Sequence, residues 1–182
     1  MNPDNIDMLN FMVNFMNDTI DGYSIYGLKG VQLDDHFGSP ISLGRSISSM
    51  NNAMSFINMN LRITTILSLS PATIDSSKSY NVDWNYWGQL GYFKEVIPQL
   101  YRSTYDSFKS EFDYTISYLN SAIKTMWIAS GIRADGSGSP TSWADINNMI
   151  LYCNINNMGA SMWYAHGILE LYPSQFLNIW GK

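Results

Sequence analysis

The sequence predicts an α/β fold in which parallel strands alternate with helices, and three observations lead to this prediction. Apolar runs of strand length alternate along the chain with stretches whose apolar residues recur at helical spacing. The five strand-like runs recur every 31 to 33 residues, which is the length of one strand-plus-helix unit, as counted from Val31, Ile63, Glu95, Met126 and Gly159. These runs are also continuously apolar, as in parallel sheets that are covered on both faces. No linker or composition shift divides residues 1–182, so we expect a single domain.

The first half of the chain alternates between the two periodicities. Leu9, Val13 and Met16 recur at helical steps, and Met50 and Met54 do so further on. Runs rich in β-branched and aliphatic residues separate these stretches and end in Gly, Ser and Pro turns. In order, this half is predicted to carry a helix over 4–23, a strand over 30–34, a helix over 46–61, a strand over 63–69 and a helix over 84–93.

The second half continues the same alternation. Phe108, Phe112 and Leu119 lie in helical register, and Pro98 is unusual within a strand-like run. In order, this half is predicted to carry a strand over 95–101, a helix over 105–123, a strand over 125–132, a helix over 143–156, a strand over 160–165 and a terminal helix over 173–180.

Two architectures accommodate five such strand-plus-helix units. One is an open five-stranded doubly wound sheet. The other is a partial TIM barrel, formed by the last five units of an eight-stranded barrel that needs about 250 residues when complete. The period alone leaves both open.

The composition narrows the function classes. The chain has a net charge of −5, 14% charged and 46% hydrophobic residues and a single cysteine, which excludes a disordered chain and a disulfide framework. Without a basic stripe we expect no nucleic-acid partner. No apolar run approaches the roughly 20 residues of a membrane span, and no leader resembling a signal peptide stands at the start. The Gly-rich segment 135–140 matches no nucleotide-binding pattern, so we expect no cofactor.

Candidate functional residues collect at the predicted carboxyl ends of the strands, where sites of parallel α/β folds form. The first strand ends in two aspartates and a histidine, and the other strand ends add hydroxyl, amide, cationic and aromatic groups. Trp84 and Trp163 are candidates for stacking on sugar rings, although tryptophans fill cores as well. The candidates are Asp34 and Asp35 as catalytic carboxylates and His36, Ser70, Trp84, Gln99, Tyr101, Arg102, Trp163 and His166 as substrate-binding residues.

The two aspartates differ in their expected roles. Because successive strand residues point to opposite faces, Asp34 shares a face with Gln32 and is predicted to point inward as a partly desolvated carboxylate. It would act as nucleophile or acid/base, while Asp35 would bind substrate or cap the turn. A purely structural capping role for both remains open. Further ligands at a recognised spacing are missing, so we expect no metal site. A buried Arg102 would need an anion, which either aspartate could supply.

A family resemblance adds to this interpretation. The run Gly30–Gly38 resembles the fourth-strand signature of the family-10-like glycosyl hydrolases, a mostly bacterial group of glycoside-hydrolase-like barrels. Similar pieces follow in the same order over nearly the whole chain. They are Asn2-Pro3 before the first helix, Ser68 to Pro71, Asp83-Trp84, Gln99 to Arg102 and Gly131 to Arg133.

The resemblance implies that this chain is the C-terminal five-eighths of a barrel that hydrolyses a cell-wall or surface polysaccharide. It implies an extracellular or cell-surface location, a carbohydrate polymer as partner, and a second copy or another chain that completes the barrel. The family's eighth strand tends to end in Tyr-Glu, whereas this chain has Ala165-His166. That difference favours the alternative, a non-catalytic carbohydrate-binding or structural relative. A binding domain of flavodoxin type would instead need a phosphate-cradling loop, which segment 36–40 resembles poorly.

Overall fold

The computed structural model describes residues 2–62, 66–119, 127–133, 141–163 and 169–180. The chain divides into two compact units. The first comprises Met1–Val96 with Leu119–Trp127, and the second comprises Ile97–Tyr118 with Ile128–Lys182. This division does not test whether either unit folds alone, so the single domain over residues 1–182 stays a prediction.

The helices of the first unit begin at residues whose side chains cap them. Asn5 accepts a hydrogen bond from the Met8 amide at 3.0 Å, and Ser46 accepts one from the Ser49 amide at 3.1 Å. Each bond satisfies a backbone donor that lacks a partner in the first helical turn. The helices described in this unit are α1 (Ile6–Tyr23), α2 (Ile47–Asn60), α3 (Ile74–Ser79) and α4 (Trp84–Gln89).

Three parallel strands form the sheet of the first unit: β1 (Gly30–Asp34), β2 (Ile66–Ser70) and β3 (Glu95–Val96). The central strand β2 pairs with β1 on one side and with β3 on the other. Its register places Ser70 opposite Asp34, the last residue of β1. The carboxyl ends of β1 and β2 therefore lie side by side.

The core of the first unit confirms the helical faces that the spacing predicts. Leu9, Val13 and Met16 of α1 are buried, and Met50, Met54 and Ile57 of α2 are fully buried. They pack in one cluster with β1 and β2, and with the two buried tryptophans of α4. These apolar faces hold the helices on the sheet.

The second unit contains helices and a parallel strand pair. The described elements are α5 (Tyr105–Tyr118), β4 (Trp127–Arg133, whose first residue belongs to the first unit), α6 (Trp143–Ile155), β5 (Gly159–Trp163) and a C-terminal helix (Pro173–Trp180). β4 and β5 are parallel, with Arg133 opposite Trp163. Phe108 and Phe112 of α5 pack against Ile146 and Met149 of α6 in a separate core cluster.

The α/β class is confirmed, but the five-stranded partial barrel is wrong, and so is the doubly wound alternative. Among the described strands, β2 pairs with β1 and with β3 in the first unit, and β4 pairs with β5. β1, β2 and β3 follow each other in sequence order, without the reversal that defines a doubly wound sheet. A barrel needs every strand to pair along both edges, whereas β1 lies at the end of the strand order and pairs with β2 on one edge.

Two local predictions also differ from the structure. The strand expected over 95–101 shrinks to two residues, because Pro98 lacks the N–H that would continue the ladder. The Ser-rich segment between the strand predicted over 63–69 and the helix predicted over 84–93, where no helix was expected, forms α3, which buries Ile74 and Ser77. None of the helices in the described ranges combines the length and hydrophobicity needed to cross a bilayer.

A charged cluster links α5 to α6 within the second unit. The Lys109 Nζ atom lies 2.6 Å from an Asp113 carboxylate oxygen, and the Tyr152 hydroxyl donates to the other oxygen at 2.6 Å. The Lys109 ammonium also lies 5.0 Å from the centre of the Tyr152 ring. The hydrogen bonds from Lys109 and Tyr152 lower the pKa of the Asp113 carboxyl below its ordinary value of 3.8.

We expect this cluster to make the free energy of unfolding depend on pH below about pH 4. Because the pKa of Asp113 is lower in the folded chain, its stabilising contribution is present above pH 4 and is lost as the pH falls through the folded value. Wild type should therefore have a higher urea unfolding midpoint than Asp113→Asn near pH 6, and this difference should disappear near pH 2. Tyr152→Phe, which keeps the ring, should remove part of the same pH dependence. Parallel curves for wild type and Asp113→Asn would contradict this assignment.

Candidate functional site

The candidate site is the cluster of Asp34, Asp35 and His36 at the carboxyl end of β1, hereafter the acid–histidine cluster. Asp34 ends the strand, and Asp35 and His36 begin a single 3₁₀ turn that closes at Phe37. The neighbouring side chains of Leu33 and Phe37 are both buried. These two apolar anchors fix the backbone on either side, so the three polar side chains lie at the surface beside the end of β2.

The side chains of the cluster converge on the histidine. The His36 Nδ1 atom lies 2.6 Å from an Asp35 oxygen and 3.9 Å from an Asp34 oxygen. The short contact between Nδ1 and the Asp35 carboxylate orients the ring and leaves Nε2 as the nitrogen that does not face Asp35. The ring is 86% exposed, so Nε2 is accessible to a ligand.

The burial of the two aspartates is the reverse of the prediction. The Asp34 side chain is 59% exposed and the Asp35 side chain is 25% exposed. In β1 it is Leu33 that points into the core, so Gln32 and Asp34 share the outer face. The chain then leaves the extended conformation, and the 3₁₀ turn brings Asp35 back toward the protein. The expectation of an inward Asp34 is therefore wrong.

His36 is the basic side chain that contacts both carboxylates of the cluster. The other ion pairs found among the described residues join cations to acids elsewhere: Arg45 to Asp4, Arg62 to Asp21, Lys78 to Asp75, Arg102 to Glu111 and Lys109 to Asp113. Two carboxylates beside one imidazole carry net negative charge even when the ring is protonated. The site therefore favours hydroxyl donors or cationic groups over anions.

The cluster also has donor atoms suited to a cation. One donor atom from each of its three residues lies within 4.8 Å of the other two. Exposed acidic groups often cluster in this way without a metal ion, and we find no second feature here that points to one. The expectation of no metal site stays a prediction.

Two further candidates lie in the same unit as the cluster. Ser70 stands opposite Asp34 across the strand pair, so the register brings it to the cluster. Trp84 is only 2% exposed and packs in the core, so its ring faces are covered by protein. Ser70 keeps a place in the candidate site, whereas Trp84 in this conformation supports the fold.

The candidates Gln99, Tyr101 and Arg102 belong to the second unit. Arg102 donates one hydrogen bond to the Tyr101 carbonyl and another to Glu111, both at 2.7 Å. Its anionic partner is thus Glu111 of α5, so its charge does not need either aspartate of the cluster. The sequence offers no signal for Glu111, because a helix position nine residues away fits no recognised pair spacing.

The remaining candidates are described only in part. The backbone of Trp163 pairs with Arg133 between β5 and β4, and the Trp163 side chain is not among those that the structure describes. His166 lies outside the described residues.

Fold and site together define an α/β protein with an acid–histidine cluster at the carboxyl end of a parallel strand. No family model, curated protein or solved structure matches this chain. The resemblance to glycosyl hydrolases therefore stays a prediction from the sequence.

Proposed function

We propose that the acid–histidine cluster is the centre of a site that binds a carbohydrate polymer and hydrolyses a glycosidic bond. The observation that carries this proposal is the convergence of two carboxylates and one imidazole at the end of β1. Glycoside hydrolysis ordinarily uses a pair of carboxyl groups, and sites of parallel α/β folds collect at this end of the strands. The resemblance of Gly30–Gly38 supplies the substrate class.

The proposed chemistry gives each residue of the cluster a separate task. Asp34, the more exposed carboxylate, attacks the anomeric carbon while protonated His36 donates the Nε2 proton to the leaving oxygen. The bond to Asp34 forms as the glycosidic C–O bond breaks. Water then attacks the same carbon, His36 takes up the water proton, and Asp34 is released. Asp35 is a positioning residue, because its carboxylate lies 2.6 Å from Nδ1 and orients the ring. Two displacements at one carbon retain its configuration.

The second candidate function is carbohydrate binding without catalysis. The exposure of the cluster favours it, with 86% of the His36 side chain and 59% of the Asp34 side chain accessible. Catalytic acids are commonly desolvated, since burial is what brings their pKa close to the working pH. Exposed carboxylates and an imidazole are equally able to bind sugar hydroxyls.

Release of reducing ends from a panel of cell-wall and surface polysaccharides tests the hydrolytic proposal. Asp34→Asn should abolish release because it removes the nucleophile. His36→Gln should lower kcat by about 10²–10⁴-fold through loss of proton transfer. Asp35→Asn should lower it by about 10–100-fold, the usual effect of losing a residue that orients a functional side chain. Asp75→Asn is the matched control, since its 74%-exposed side chain lies on α3 and pairs with Lys78.

Three outcomes separate the candidate functions. Full activity in both Asp34→Asn and Asp35→Asn would refute the assignment of the site. An equal loss in Asp75→Asn would show a general effect of removing surface charge. Binding on a glycan array without release of reducing ends, lost in the cluster variants, would establish the binding function.

A further inference from the structure

The outward face of α1 exposes two adjacent phenylalanines. The inward face is formed by Leu9, Val13 and Met16, whereas Phe11 is 65% and Phe15 is 62% exposed. The two rings stack on each other with centroids 6.2 Å apart and planes inclined by 18°. Contiguous exposed aromatic surface of this kind marks interaction sites more often than singly exposed apolar residues do.

The two rings line a shallow concave surface. It has a volume of about 380 Å³ and is lined by Phe11, Asn14, Phe15, Asp18, Thr19 and Tyr23. Tyr26, 79% exposed, contacts Tyr23 and extends the apolar surface past the end of the helix. We call these seven residues, together with Asp7, the α1 outer face. Its apolar centre is the length of about three helical turns, which suits another helix lying along it.

The charge of the α1 outer face has one sign. Asp7 and Asp18 bracket the two phenylalanines, because steps of four, four and three residues from Asp7 reach Phe11, Phe15 and Asp18 on one side of the helix. The helix carries a third aspartate, Asp21, which pairs with Arg62, and its sequence contains no lysine or arginine. The apolar centre is thus flanked by negative charge at both ends.

This charge decides which occupant fits. A second copy of the chain would bring aspartate against aspartate, in a protein whose net charge is already −5. An anionic membrane surface would be repelled in the same way. A helix with an apolar stripe and lysine or arginine at either end satisfies both features, since its side chains cover the rings and its cations meet Asp7 and Asp18.

We propose that the α1 outer face docks a basic amphipathic helix of a partner protein. This interaction is independent of the acid–histidine cluster, which lies at the end of β1. Apolar contact with Phe11 and Phe15 supplies the affinity, and the two aspartates select a basic partner over an acidic one.

Binding of a synthetic 18-residue Leu/Lys amphipathic helix to the full chain, measured by fluorescence anisotropy, tests the proposal. A peptide with Glu in place of every Lys is its matched control and should not bind. The double variant Phe11→Ser/Phe15→Ser should weaken binding at least about tenfold. Asp7→Asn/Asp18→Asn should weaken it and reduce its dependence on salt. Met59→Ser should leave binding unchanged, because Met59 is 71% exposed on α2 and is not among the residues that line this face.

Four outcomes would overturn the proposal: no binding of the Leu/Lys peptide, equal binding of the acidic peptide, affinity unaffected by the Phe11→Ser/Phe15→Ser change, or an equal loss in Met59→Ser. Two others would replace it. Concentration-dependent dimerisation that this change abolishes would assign the face to a second copy. Sedimentation with vesicles of phosphatidylserine and phosphatidylcholine, lost in the same variant, would assign it to a membrane surface.

Discussion

Replacing Trp87 by alanine is expected to lower the free energy of unfolding by about 3–5 kcal/mol. The Trp87 side chain is fully buried in the core of the first unit, where its ring lies 6.3 Å from the ring of Phe93. Its indole Nε1–H donates a hydrogen bond to the Asn51 side-chain oxygen at 2.7 Å, which ties α4 to α2. Truncation therefore opens a cavity and leaves an amide oxygen without its donor.

Chemical denaturation followed by circular dichroism measures this loss, and two further variants identify its origin. Tyr86→Ala changes the preceding residue of α4, which is 43% exposed, and should cost much less. Trp87→Phe keeps an aromatic ring but loses the indole donor, so its cost should lie between the other two. If Trp87→Ala and Tyr86→Ala lowered stability equally, the position of Trp87 in the core would be contradicted.

Replacing Gly38 by alanine is expected to destabilise the first unit by about 1–3 kcal/mol and to displace the acid–histidine cluster. A Cβ atom at Gly38 would lie 2.6 Å from the Tyr80 carbonyl oxygen and 2.5 Å from a Val82 methyl carbon. The Tyr80 carbonyl accepts the Ser39 N–H at 2.9 Å, so its position is held by the same loop. Relief of the clash requires the backbone to shift directly after the turn that carries His36.

The matched control for this change is Gly22→Ala. A Cβ atom at Gly22 would have no neighbour within 4 Å, and the residue lies in the last turn of α1. Alanine there should stabilise the helix by up to about 0.5–1 kcal/mol. Denaturation curves and the NMR signals of the His36 ring report the two effects of Gly38→Ala. Wild-type stability and an unchanged His36 spectrum in that variant would contradict the close packing at Gly38.

The helices were predictable because their signals are local. The apolar spacing of Leu9, Val13 and Met16 identifies the buried face of α1, and Ser46 identifies the start of α2. α4 ends sooner than expected, at Gln89, because Gly91 adopts a positive φ of 74° that turns the chain. α3 escaped prediction because a six-residue, serine-rich helix has too few turns to show a period.

The candidate site was predictable in position but not in detail. Two aspartates and a histidine after an apolar strand correctly predicted a polar cluster at the end of β1. The prediction took the face shared by Gln32 and Asp34 as the inner one, whereas the buried Leu33 makes that face the outer one. The anionic partner of Arg102 is Glu111, which lies on α5. No recognised sequence spacing predicts this pair.

The amino-acid sequence by itself determined the α/β class, the buried faces of the long helices and the place of the acid–histidine cluster. All three depend on residues within one or two turns of each other, whose spacing and capping act locally. The tertiary structure decided how the strands pair and which carboxylate is covered. Strand pairing and carboxylate burial depend on residues far apart in the chain, such as Ser70 and Asp34, which the β1–β2 register brings together. They also depend on many small packing contributions, which no local sequence pattern contains.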